Sequence, residues 1–376
     1  MSKSPLSIYV HIPFCVKKCS YCDFMSFAST PEEMERYRDA LLREISEAEG
    51  SAQYEVQTVY IGGGTPSWVS PCLLAEILDA LRIKYEFAPD AEISMEMNPG
   101  TLKDGALEIY RSAGINRISI GCQSLDDEEL KVLGRIHTSE EFMTTFKAVR
   151  DAGFDNINVD LMSSIPGQTA EKFRRSLEGV LELSPEHISV YSLIIEPGTP
   201  FYTLYEKGEL DLPSEDMVLE TDRMVRRVVA EKGYKRYEIS NYAREGYECR
   251  HNLVYWQHGD YRGFGPGAAS LMGRHRFTNT RDYVEYMKAP GGEKEEDFTL
   301  TLREAMEEFM FLGLRTCAGV SEEKFRLKFG KEITEEFGDV IKDQVNKGLL
   351  VHENSHFYYT EAGMDVSNVL MSEFLE

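Results

Sequence analysis

No stretch of this sequence stays apolar for the roughly 18 residues that a membrane-spanning helix needs. The first residues, MSKSPLSIYV, also lack the apolar core and small-residue cleavage site of a secretory signal. Positive charge is scarce, since 41 Lys and Arg face 64 Asp and Glu and leave a net charge of −23. A surface of this sign repels nucleic-acid phosphates. We therefore expect a globular protein with no integral membrane segment and no nucleic-acid partner.

Cysteine is also sparse, and its pattern does not fit a disulfide framework. The chain has 7 cysteines, an odd number, and Cys15, Cys19 and Cys22 fall close together. Small secreted domains instead use even sets of cysteines as cross-links. We therefore expect reduced thiols and a cytoplasmic protein. The four cysteines outside this group are expected to be ordinary thiols: Cys72, Cys122, Cys249 and Cys317.

Six short apolar runs alternate with charged, periodic segments in the first half of the chain. The runs are predicted to be strands: SIYVHIP (7–13), TVYIGGGTPS (58–67), EISMEMNP (92–99), RISIGCQS (117–124), NINVDLMSSIPGQ (156–168) and HISVYSLIIEPGTP (187–200). Segments between them, such as 31–49 and 169–183, are predicted to be helices with Thr30 and Thr169 as N-caps. This alternation is typical of a parallel sheet. Because six units are too few for a closed barrel of eight, we predict an α/β fold with a partial (β/α)6 barrel.

The rest of the sequence predicts two further domains after a barrel core at 1–200. Residues 201–297 are rich in Tyr and Gly and are predicted to extend the barrel. Residues 298–376 follow a GGEKEED linker and predict two or three helices, a hairpin in KGLLVHENSHFYYTEAG and a last helix, which together suggest a winged-helix-like α+β module. Residues 301–376 carry 15 Asp and Glu against 8 Lys and Arg, so we expect this module to pack or bind a partner rather than DNA.

The stretch HIPFCVKKCSYCDF (11–24) contains the three clustered cysteines. Thiolates bind soft or borderline metals, and one alternative is a structural zinc site with His11 as fourth ligand. Such sites usually combine two cysteine pairs, and this sequence has no second pair. A four-iron cluster binds one thiolate per iron, so three cysteines leave one iron open. The spacing of Cys15, Cys19 and Cys22 resembles that of radical S-adenosylmethionine (SAM) enzymes, which implies a [4Fe–4S] cluster whose open iron binds SAM.

Polar residues recur at the carboxyl ends of the predicted strands, where parallel α/β sheets bind ligands. GGGTPS (62–67) follows the second strand, and Glu96 lies at the end of the third. Consecutive glycines let a ligand approach the backbone closely, and a carboxylate accepts hydrogen bonds from ribose hydroxyls. Gln123, Arg135 and Asp160 lie at later strand ends or just beyond them. Each feature alone is more often a turn or a structural cap, and their recurrence on one edge favours a binding site.

Together these motifs resemble the oxygen-independent coproporphyrinogen oxidase family over nearly the whole chain. The segments that carry the resemblance are YVHIPFCVKKCSYC, YIGGGTPS, SIGCQS, LGRIHT, NVDLMSSIPGQT and YSLIIEPGTPFY. ECRHNLVYW and YRGFGPGAAS are similar to a group within this family, the HemW heme chaperones. The resemblance implies that Cys15, Cys19 and Cys22 bind the cluster. It also implies a set of SAM contacts: Tyr9, Tyr21, Gly63, Gly64, Thr65, Glu96, Gln123, Arg135, Asp160 and Ile194.

Two functions of different class are open at this point. One is a radical enzyme that decarboxylates the propionates of coproporphyrinogen, and the other is a protein that carries heme. The oxidases of the family resemble this pattern with an additional cysteine two positions after Cys22, where this sequence has Phe24. A phenylalanine side chain neither ligates a metal nor carries a proton. The sequence therefore favours a heme chaperone without coproporphyrinogen oxidase activity and leaves open whether SAM is cleaved.

The segment HNLVY (251–255) resembles the heme-binding motif of the chaperones. His and Tyr side chains both serve as axial ligands of heme iron. The resemblance therefore implies that His251 and Tyr255 contact heme, while a purely structural histidine is the alternative. Ala269 stands where the chaperones often have a histidine, so heme binding here would be different or weaker if that histidine contributes.

The resemblance also implies the partners of the chain. Its cofactors would be a [4Fe–4S] cluster and SAM, and its cargo would be heme, delivered to membrane-bound respiratory proteins. Without an anchor, contact with the membrane would be transient and made through these acceptors. A homodimer is one state that the sequence leaves open. Arg223, Arg226 and Arg227 either face heme propionates or form a solvated helix face.

Overall fold

A computed structural model describes residues 3–375 of the chain. Its centre is six parallel strands that lie side by side in chain order. They are β1 (Ser4–Ile12), β2 (Tyr54–Gly63), β3 (Glu86–Met97), β4 (Arg117–Gln123), β5 (Ile157–Ser163) and β6 (His187–Ser192). Each overlaps one predicted strand, so the prediction of a partial (β/α)6 barrel is confirmed.

Helices between these strands cover the outer side of the sheet. They are α1 (Pro31–Glu47), α2 (Pro71–Lys84), α3 (Ala106–Ser112), α4 (Asp127–Leu133), α5 (Ser139–Asp151) and α6 (Ala170–Glu182). The predicted N-caps are confirmed, since the Thr30 and Thr169 hydroxyls accept backbone N–H groups three residues ahead at 3.3 and 3.2 Å. A hydroxyl in this position satisfies one of the free N–H groups of the first turn.

The two faces of each central strand differ in polarity, which defines where a ligand can bind. In β1, Ile8, Val10 and Ile12 are fully buried in the hydrophobic core against the helices. The alternate residues, Ser7, Tyr9 and His11, belong to the opposite face, because strand side chains alternate. That opposite face is the polar interior of the partial barrel.

Residues 201–299 add strands to both edges of the barrel sheet, which has 12 strands among the described residues. The added strands are β7 (Lys235–Arg236), β8 (Asn241–Ala243), β9 (Tyr261–Phe264), β10 (Ala269–Met272), β11 (His275–Asn279) and β12 (Lys294–Thr299). The helices of this region are α7 (Pro200–Glu206), α8 (Glu215–Glu231), α9 (Arg250–Trp256) and α10 (Tyr283–Lys288). Strand β9 pairs in parallel with β1, and β8 pairs antiparallel with β6.

Helix α9 packs at the amino-terminal end of the barrel. The Glu92 carboxylate accepts the backbone N–H groups of Arg250 and His251 at 3.0 and 3.2 Å. In β3, Glu92 precedes Glu96 by four residues, or about 13 Å of extended strand. Helix α9, which carries the HNLVY motif, therefore lies at the opposite end of the barrel from the cysteine loop.

The C-terminal region forms its own small core around a three-stranded antiparallel sheet. Its elements are α11 (Leu302–Gly313), β13 (Val320–Ser321), α12 (Glu322–Phe329), α13 (Ile333–Asn346), β14 (Leu350–Glu353), β15 (His356–Tyr359), α14 (Glu361–Asp365) and α15 (Ser367–Ser372). The predicted helices and hairpin are present. The prediction of one last helix is wrong, because Val366, with φ −122° and ψ 20°, leaves the helical conformation between α14 and α15. The division of the chain at 200 and 297 stays a prediction.

Arginines of α8 connect the barrel to the C-terminal region. The Arg226 guanidinium lies 2.7 Å from the Asp365 carboxylate, and Arg223 lies 3.4 Å from the same carboxylate. Arg226 is therefore held by Asp365, whereas the Arg223 side chain is 63% exposed and Arg227 is also exposed, so both remain part of a solvated helix face. No helix within residues 3–375 is long and apolar enough to cross a membrane.

Candidate functional site

A cavity of about 320 Å³ opens at the carboxyl ends of the central strands. Eleven of the predicted site residues line it: Cys15, Cys19, Tyr21, Cys22, Gly63, Gly64, Thr65, Glu96, Gln123, Arg135 and Asp160. Ten of them come from the loop after β1 and from the carboxyl-terminal parts of β2 to β5, which meet at one edge of the parallel sheet. Arg135 comes from the loop after α4. The fold thus brings together residues that are up to 145 positions apart in sequence.

The three clustered cysteines all face this cavity. The Thr65 hydroxyl donates to the Cys15 sulfur at 3.4 Å, and the Arg135 guanidinium approaches the Cys19 sulfur at 3.7 Å. Burial raises the pKa of Cys22 to about 11, and the neighbouring Cys19 and Cys15 add to the rise. Three thiolates so close together need positive charge, which a bound metal supplies. The donor set therefore fits a group that contains several metal ions.

In this structure His11 does not complete a single-ion site with the three cysteines. Within residues 3–375, no three His, Cys, Asp or Glu side chains converge closely enough to hold one metal ion. A four-iron cluster needs no such convergence, since each thiolate binds a different iron. His11, the fourth ligand in the zinc alternative, has both ring nitrogens engaged, by the Tyr9 hydroxyl at 3.0 Å and the Met25 carbonyl at 2.9 Å. His11 is therefore held as a structural residue.

Glu96 forms the floor of the cavity. Its carboxylate accepts the Tyr60 hydroxyl at 3.1 Å and the backbone N–H of Gly63 at 3.0 Å. Burial, reinforced by the negative charge of Asp160, raises the pKa of Glu96 to about 7. This side chain can therefore act as a hydrogen-bond acceptor for a ligand hydroxyl, and its charge changes close to neutral pH.

Arg135 connects two walls of the cavity to the cysteine loop. Its guanidinium donates to the Asn98 side-chain carbonyl at 2.6 Å and to the Gly121 backbone carbonyl at 2.7 Å. A Cβ atom at Gly121 would lie 2.8 Å from the Asn98 oxygen and 3.2 Å from this guanidinium, so a larger residue there would displace these side chains. The result is a fixed positive charge beside Cys19, suited to an anionic group of a ligand.

Asp160 and Gln123 complete the far wall. The Asp160 carboxylate accepts the Ser119 hydroxyl at 3.1 Å and the Asn158 amide at 2.7 Å, and burial raises its pKa. Gln123 has a φ of 66°, which is uncommon for a residue other than glycine. Backbone strain of this kind is frequent at ligand sites, where the surrounding structure holds it in place.

Four predicted site residues do not line this cavity. The Tyr9 ring stacks on Tyr60 with centroids 6.5 Å apart, one layer below the floor. Ile194 lies in the segment after β6 and is 67% exposed. His251 and Tyr255, the predicted heme contacts, lie on α9 at the other end of the barrel.

His251 is buried with both of its ring nitrogens engaged. Its Nδ1 lies 2.8 Å from the Thr58 hydroxyl, and its Nε2 lies 2.8 Å from the Tyr255 hydroxyl. Burial lowers the pKa of His251 to about 3, so the ring is neutral. In this arrangement neither nitrogen is free for iron, and a heme contact at His251 or Tyr255 stays a prediction that requires α9 to rearrange.

The cavity also contains residues outside the predicted set of cluster and SAM contacts. They are Lys17, Lys18, Phe24, Ser26, Tyr60, Pro66, Met97, Asn98, Ser119, Gly121, Met162 and Tyr191. Several lie on the same strand as a predicted residue, at intervals of two positions from it. In β4, for example, Ser119 and Gly121 precede the predicted Gln123 by four and two residues. Period-two spacing from the predicted residues is therefore the signal that could have found them.

Comparison with known proteins places the chain in a family. Residues 9–179 match the radical SAM superfamily, and residues 300–366 match the HemN C-terminal domain. A Bacillus subtilis protein named heme chaperone HemW is 38% identical, over 98% of this chain and 99% of its own. The heme chaperone HemW of Escherichia coli is 38% identical, over 99% of this chain and 98% of its own. A Bos taurus protein named radical S-adenosyl methionine domain-containing protein 1, mitochondrial, is 32% identical, over 98% of this chain and 87% of its own.

Solved structures give the same picture of the fold. Coproporphyrinogen III oxidase (HemN) from Escherichia coli, a radical SAM enzyme, aligns with a TM-score of 0.85 at 23% identity, over 100% of this chain and 91% of its own. The two proteins therefore share a fold that includes the barrel and the C-terminal region. Together with the full-length similarity to the proteins named HemW, this shows that the chain belongs to the radical SAM superfamily and, within it, to the HemW family.

Proposed function

We propose that this chain binds heme and transfers it to membrane-bound respiratory proteins, while carrying a [4Fe–4S] cluster and SAM. The observation that carries the proposal is the cavity in which three cysteine thiols face a polar wall of buried acids, an arginine and glycine backbone. The heme part is supported by the names of relatives that match the chain over nearly its full length.

In this proposal Cys15, Cys19 and Cys22 hold the cluster. When bound, the cluster supplies an open iron that coordinates the methionine part of SAM and an electron that can be passed to it. The SAM contacts are the remaining cavity residues of the predicted set, with Glu96 as acceptor of ribose hydroxyls and Arg135 as a fixed positive charge. Tyr9 and Ile194 stay predictions from the resemblance alone.

Phe24 supports carriage of heme over oxidation of coproporphyrinogen. Its side chain lines the cavity mouth and is 60% exposed, so the position offers an apolar ring where an oxidase of the family is expected to offer a thiol. A porphyrin ring packs well on an exposed aromatic side chain, whereas proton delivery needs a titratable group.

The test supplies the anaerobically reconstituted protein with two porphyrin probes in parallel. Hemin should produce a Soret band with saturable binding, and the loaded protein should transfer heme to respiratory complexes in vesicles prepared from heme-deficient membranes. With SAM, a reductant and coproporphyrinogen, no protoporphyrinogen should form. Formation of protoporphyrinogen at many turnovers per protein, or the lack of any saturable hemin binding, would overturn the proposal.

A further inference from the structure

A continuous line of hydrogen bonds connects two of the three clustered cysteines. The Arg135 guanidinium approaches the Cys19 sulfur at 3.7 Å through Nη1 and donates to the Asn98 side-chain oxygen at 2.6 Å through Nη2. The Asn98 amide nitrogen donates to the Thr65 hydroxyl at 2.8 Å, and this hydroxyl donates to the Cys15 sulfur at 3.4 Å. Arg135, Asn98 and Thr65 therefore form a polar bridge with a cysteine sulfur at each end.

The chemistry of its members fixes the direction of donation along the polar bridge. A guanidinium can only donate, so the Asn98 atom that faces Arg135 is the carbonyl oxygen. The amide nitrogen of Asn98 then faces Thr65, and it can only donate to the hydroxyl there. The single proton of the Thr65 hydroxyl cannot point back at this nitrogen, so it points at the Cys15 sulfur. The amide orientation of Asn98 therefore decides that Thr65 is a donor to Cys15.

A second set of hydrogen bonds holds the backbone of Asn98. Its N–H donates to the Ser67 hydroxyl at 3.1 Å, and its carbonyl oxygen accepts the Thr101 hydroxyl at 2.7 Å. The Ser67 and Thr101 oxygens lie 2.6 Å apart, and since the Thr101 proton is used on Asn98, the Ser67 hydroxyl is the donor of this bond. Both hydroxyl residues are buried, so the ring of bonds is closed to water. Asn98 is therefore held in place by the protein alone.

Hydrogen bonds to the sulfur ligands of an iron–sulfur cluster are among the features that set its reduction potential. Reduction adds negative charge to the cluster and its thiolates, so a donor that points at a thiolate stabilises the reduced state more than the oxidised state. The polar bridge supplies such a donor to Cys15 and a positive charge beside Cys19. Both contributions act in the same direction, toward a cluster that is easier to reduce.

We infer that Asn98 is a positioning residue that raises the reduction potential of the cluster by directing the Thr65 hydroxyl to Cys15. The inference rests on the proposed function, since it concerns the cluster that the chain is proposed to carry. It assigns a role to a residue outside the predicted set of cluster and SAM contacts. Because Arg135 holds the other end of the Asn98 amide, the surroundings of Cys15 and Cys19 are set together.

Asn98→Asp tests the direction of the polar bridge while keeping its shape. A carboxylate accepts from both Arg135 and Thr65, so the Thr65 proton should turn away from Cys15. The measurement is a redox titration of the anaerobically reconstituted, SAM-free protein, followed by electron paramagnetic resonance. The reduction equilibrium should become about tenfold less favourable, which lowers the potential by about 59 mV for one electron. Iron and sulfide contents should equal those of the wild type.

Two variants of Thr65 separate the loss of the hydroxyl donor from the charge that Asn98→Asp adds. Thr65→Val removes the hydroxyl without adding charge and should also lower the potential. Thr65→Ser is the matched control, because it keeps the hydroxyl and should keep the wild-type potential. Thr65→Val leaves no hydroxyl to redirect, so in its background Asn98→Asp should cause less than half of the shift that it causes in the wild type.

Three results would overturn the inference and leave the proposed function intact. The first is a wild-type potential in Thr65→Val, and the second is an equal shift from Asn98→Asp in both backgrounds, which would mean that only the added charge acts. The third is loss of iron and sulfide in Asn98→Asp, because it would assign Asn98 to retention of the cluster instead of its potential. Absence of iron and sulfide from the reconstituted wild type would overturn both the inference and the cluster of the proposed function.

Discussion

The imidazole of His251 stacks on the phenol ring of Tyr60, with ring centroids 5.2 Å apart and planes at 29°. The Tyr60 hydroxyl in turn donates to the Glu96 carboxylate at 3.1 Å. The Tyr60 side chain alone therefore separates α9, which carries the HNLVY motif, from Glu96 at the floor of the cysteine cavity. A movement of α9 that released His251 would remove the ring that supports Tyr60, so the two ends of the barrel are physically connected.

Tyr60→Phe is expected to weaken SAM binding about fivefold while leaving hemin binding unchanged. The substitution keeps the stack on His251 but removes a hydrogen bond to Glu96, and such a bond contributes about 1 kcal/mol. Equilibrium dialysis with SAM on the cluster-reconstituted protein measures the change. Tyr54→Phe is the control, because its hydroxyl contacts Asp260 at 3.3 Å, away from the cavity. Equal SAM affinity in wild type and Tyr60→Phe would show that Tyr60 does not position Glu96.

SAM binding is expected to weaken as the pH falls from 8 to 6. The pKa of Glu96 is about 7, raised first by burial and then by Asp160, so its carboxylate gains a proton across this interval and loses acceptor strength. The cationic sulfonium of SAM also favours the ionised carboxylate. Equilibrium dialysis with SAM at each pH measures the change in affinity. The pH dependence should disappear in Glu96→Gln. It should persist in the control Glu108→Gln, which changes an exposed residue of α3.

Glu96 affects the stability of the fold in the opposite direction, because its contribution to the free energy of unfolding falls as the pH rises. The pKa of Glu96 in the folded state lies above its ordinary value of 4.5, so the folded protein keeps a proton that the unfolded chain releases. Its contribution to the free energy of unfolding is therefore greatest below about pH 4.5 and falls as the pH rises to about 7. Urea titrations of wild type and Glu96→Gln should diverge in this interval, with the variant relatively more stable at the higher pH. Parallel curves would contradict the raised pKa.

Cys19→Ala is expected to lose most of its iron and the brown absorbance of the reconstituted protein. Each thiolate of a four-iron cluster with three protein ligands holds a different iron, so one loss leaves two irons without protein ligands. Iron and sulfide analysis after anaerobic reconstitution measures this. Cys72→Ala should retain both, since Cys72 is an exposed thiol on α2 outside the cavity. Zinc in place of iron in the wild type would contradict the cluster.

The sequence predicted those features that depend on local pattern. The strands, their order, the N-caps Thr30 and Thr169 and the cysteine loop follow from periodicity and spacing within short segments. The role of Tyr60 could not be predicted, because it depends on the register that sets Tyr60 beside Ser94 of β3 and aims its side chain at Glu96.

The contacts of His251 could not be predicted from the sequence for a related reason. Helix α9 has only 7 residues, and the side that it buries is decided by Thr58 and Glu92, both more than 150 positions earlier in the chain. A motif reports which residue types are present, while long-range packing decides whether their ligating atoms are free.

Gly63→Ala is expected to destabilise the protein by several kcal/mol and to abolish SAM binding. Gly63 has a φ of 110°, and a Cβ atom there would lie 2.5 Å from the His11 ring, which the Tyr9 hydroxyl and the Met25 carbonyl hold in place. Either His11 or the glycine loop must shift, and the loop N–H would leave the Glu96 carboxylate. Urea titration and SAM dialysis measure the two effects.

Gly105→Ala separates backbone strain from the steric clash in that prediction. Gly105 also has a positive φ, 71°, but a Cβ atom there meets nothing within 4 Å. A left-handed conformation alone costs an alanine about 1–2 kcal/mol, so Gly105→Ala should lose about this much stability and keep its affinity for SAM. If Gly63→Ala behaved like Gly105→Ala in both measurements, the close approach of the glycine loop to His11 would have no energetic role. A loss of SAM binding confined to Gly63→Ala would instead show that the loop must stay in contact with Glu96 for the cavity to accept its ligand.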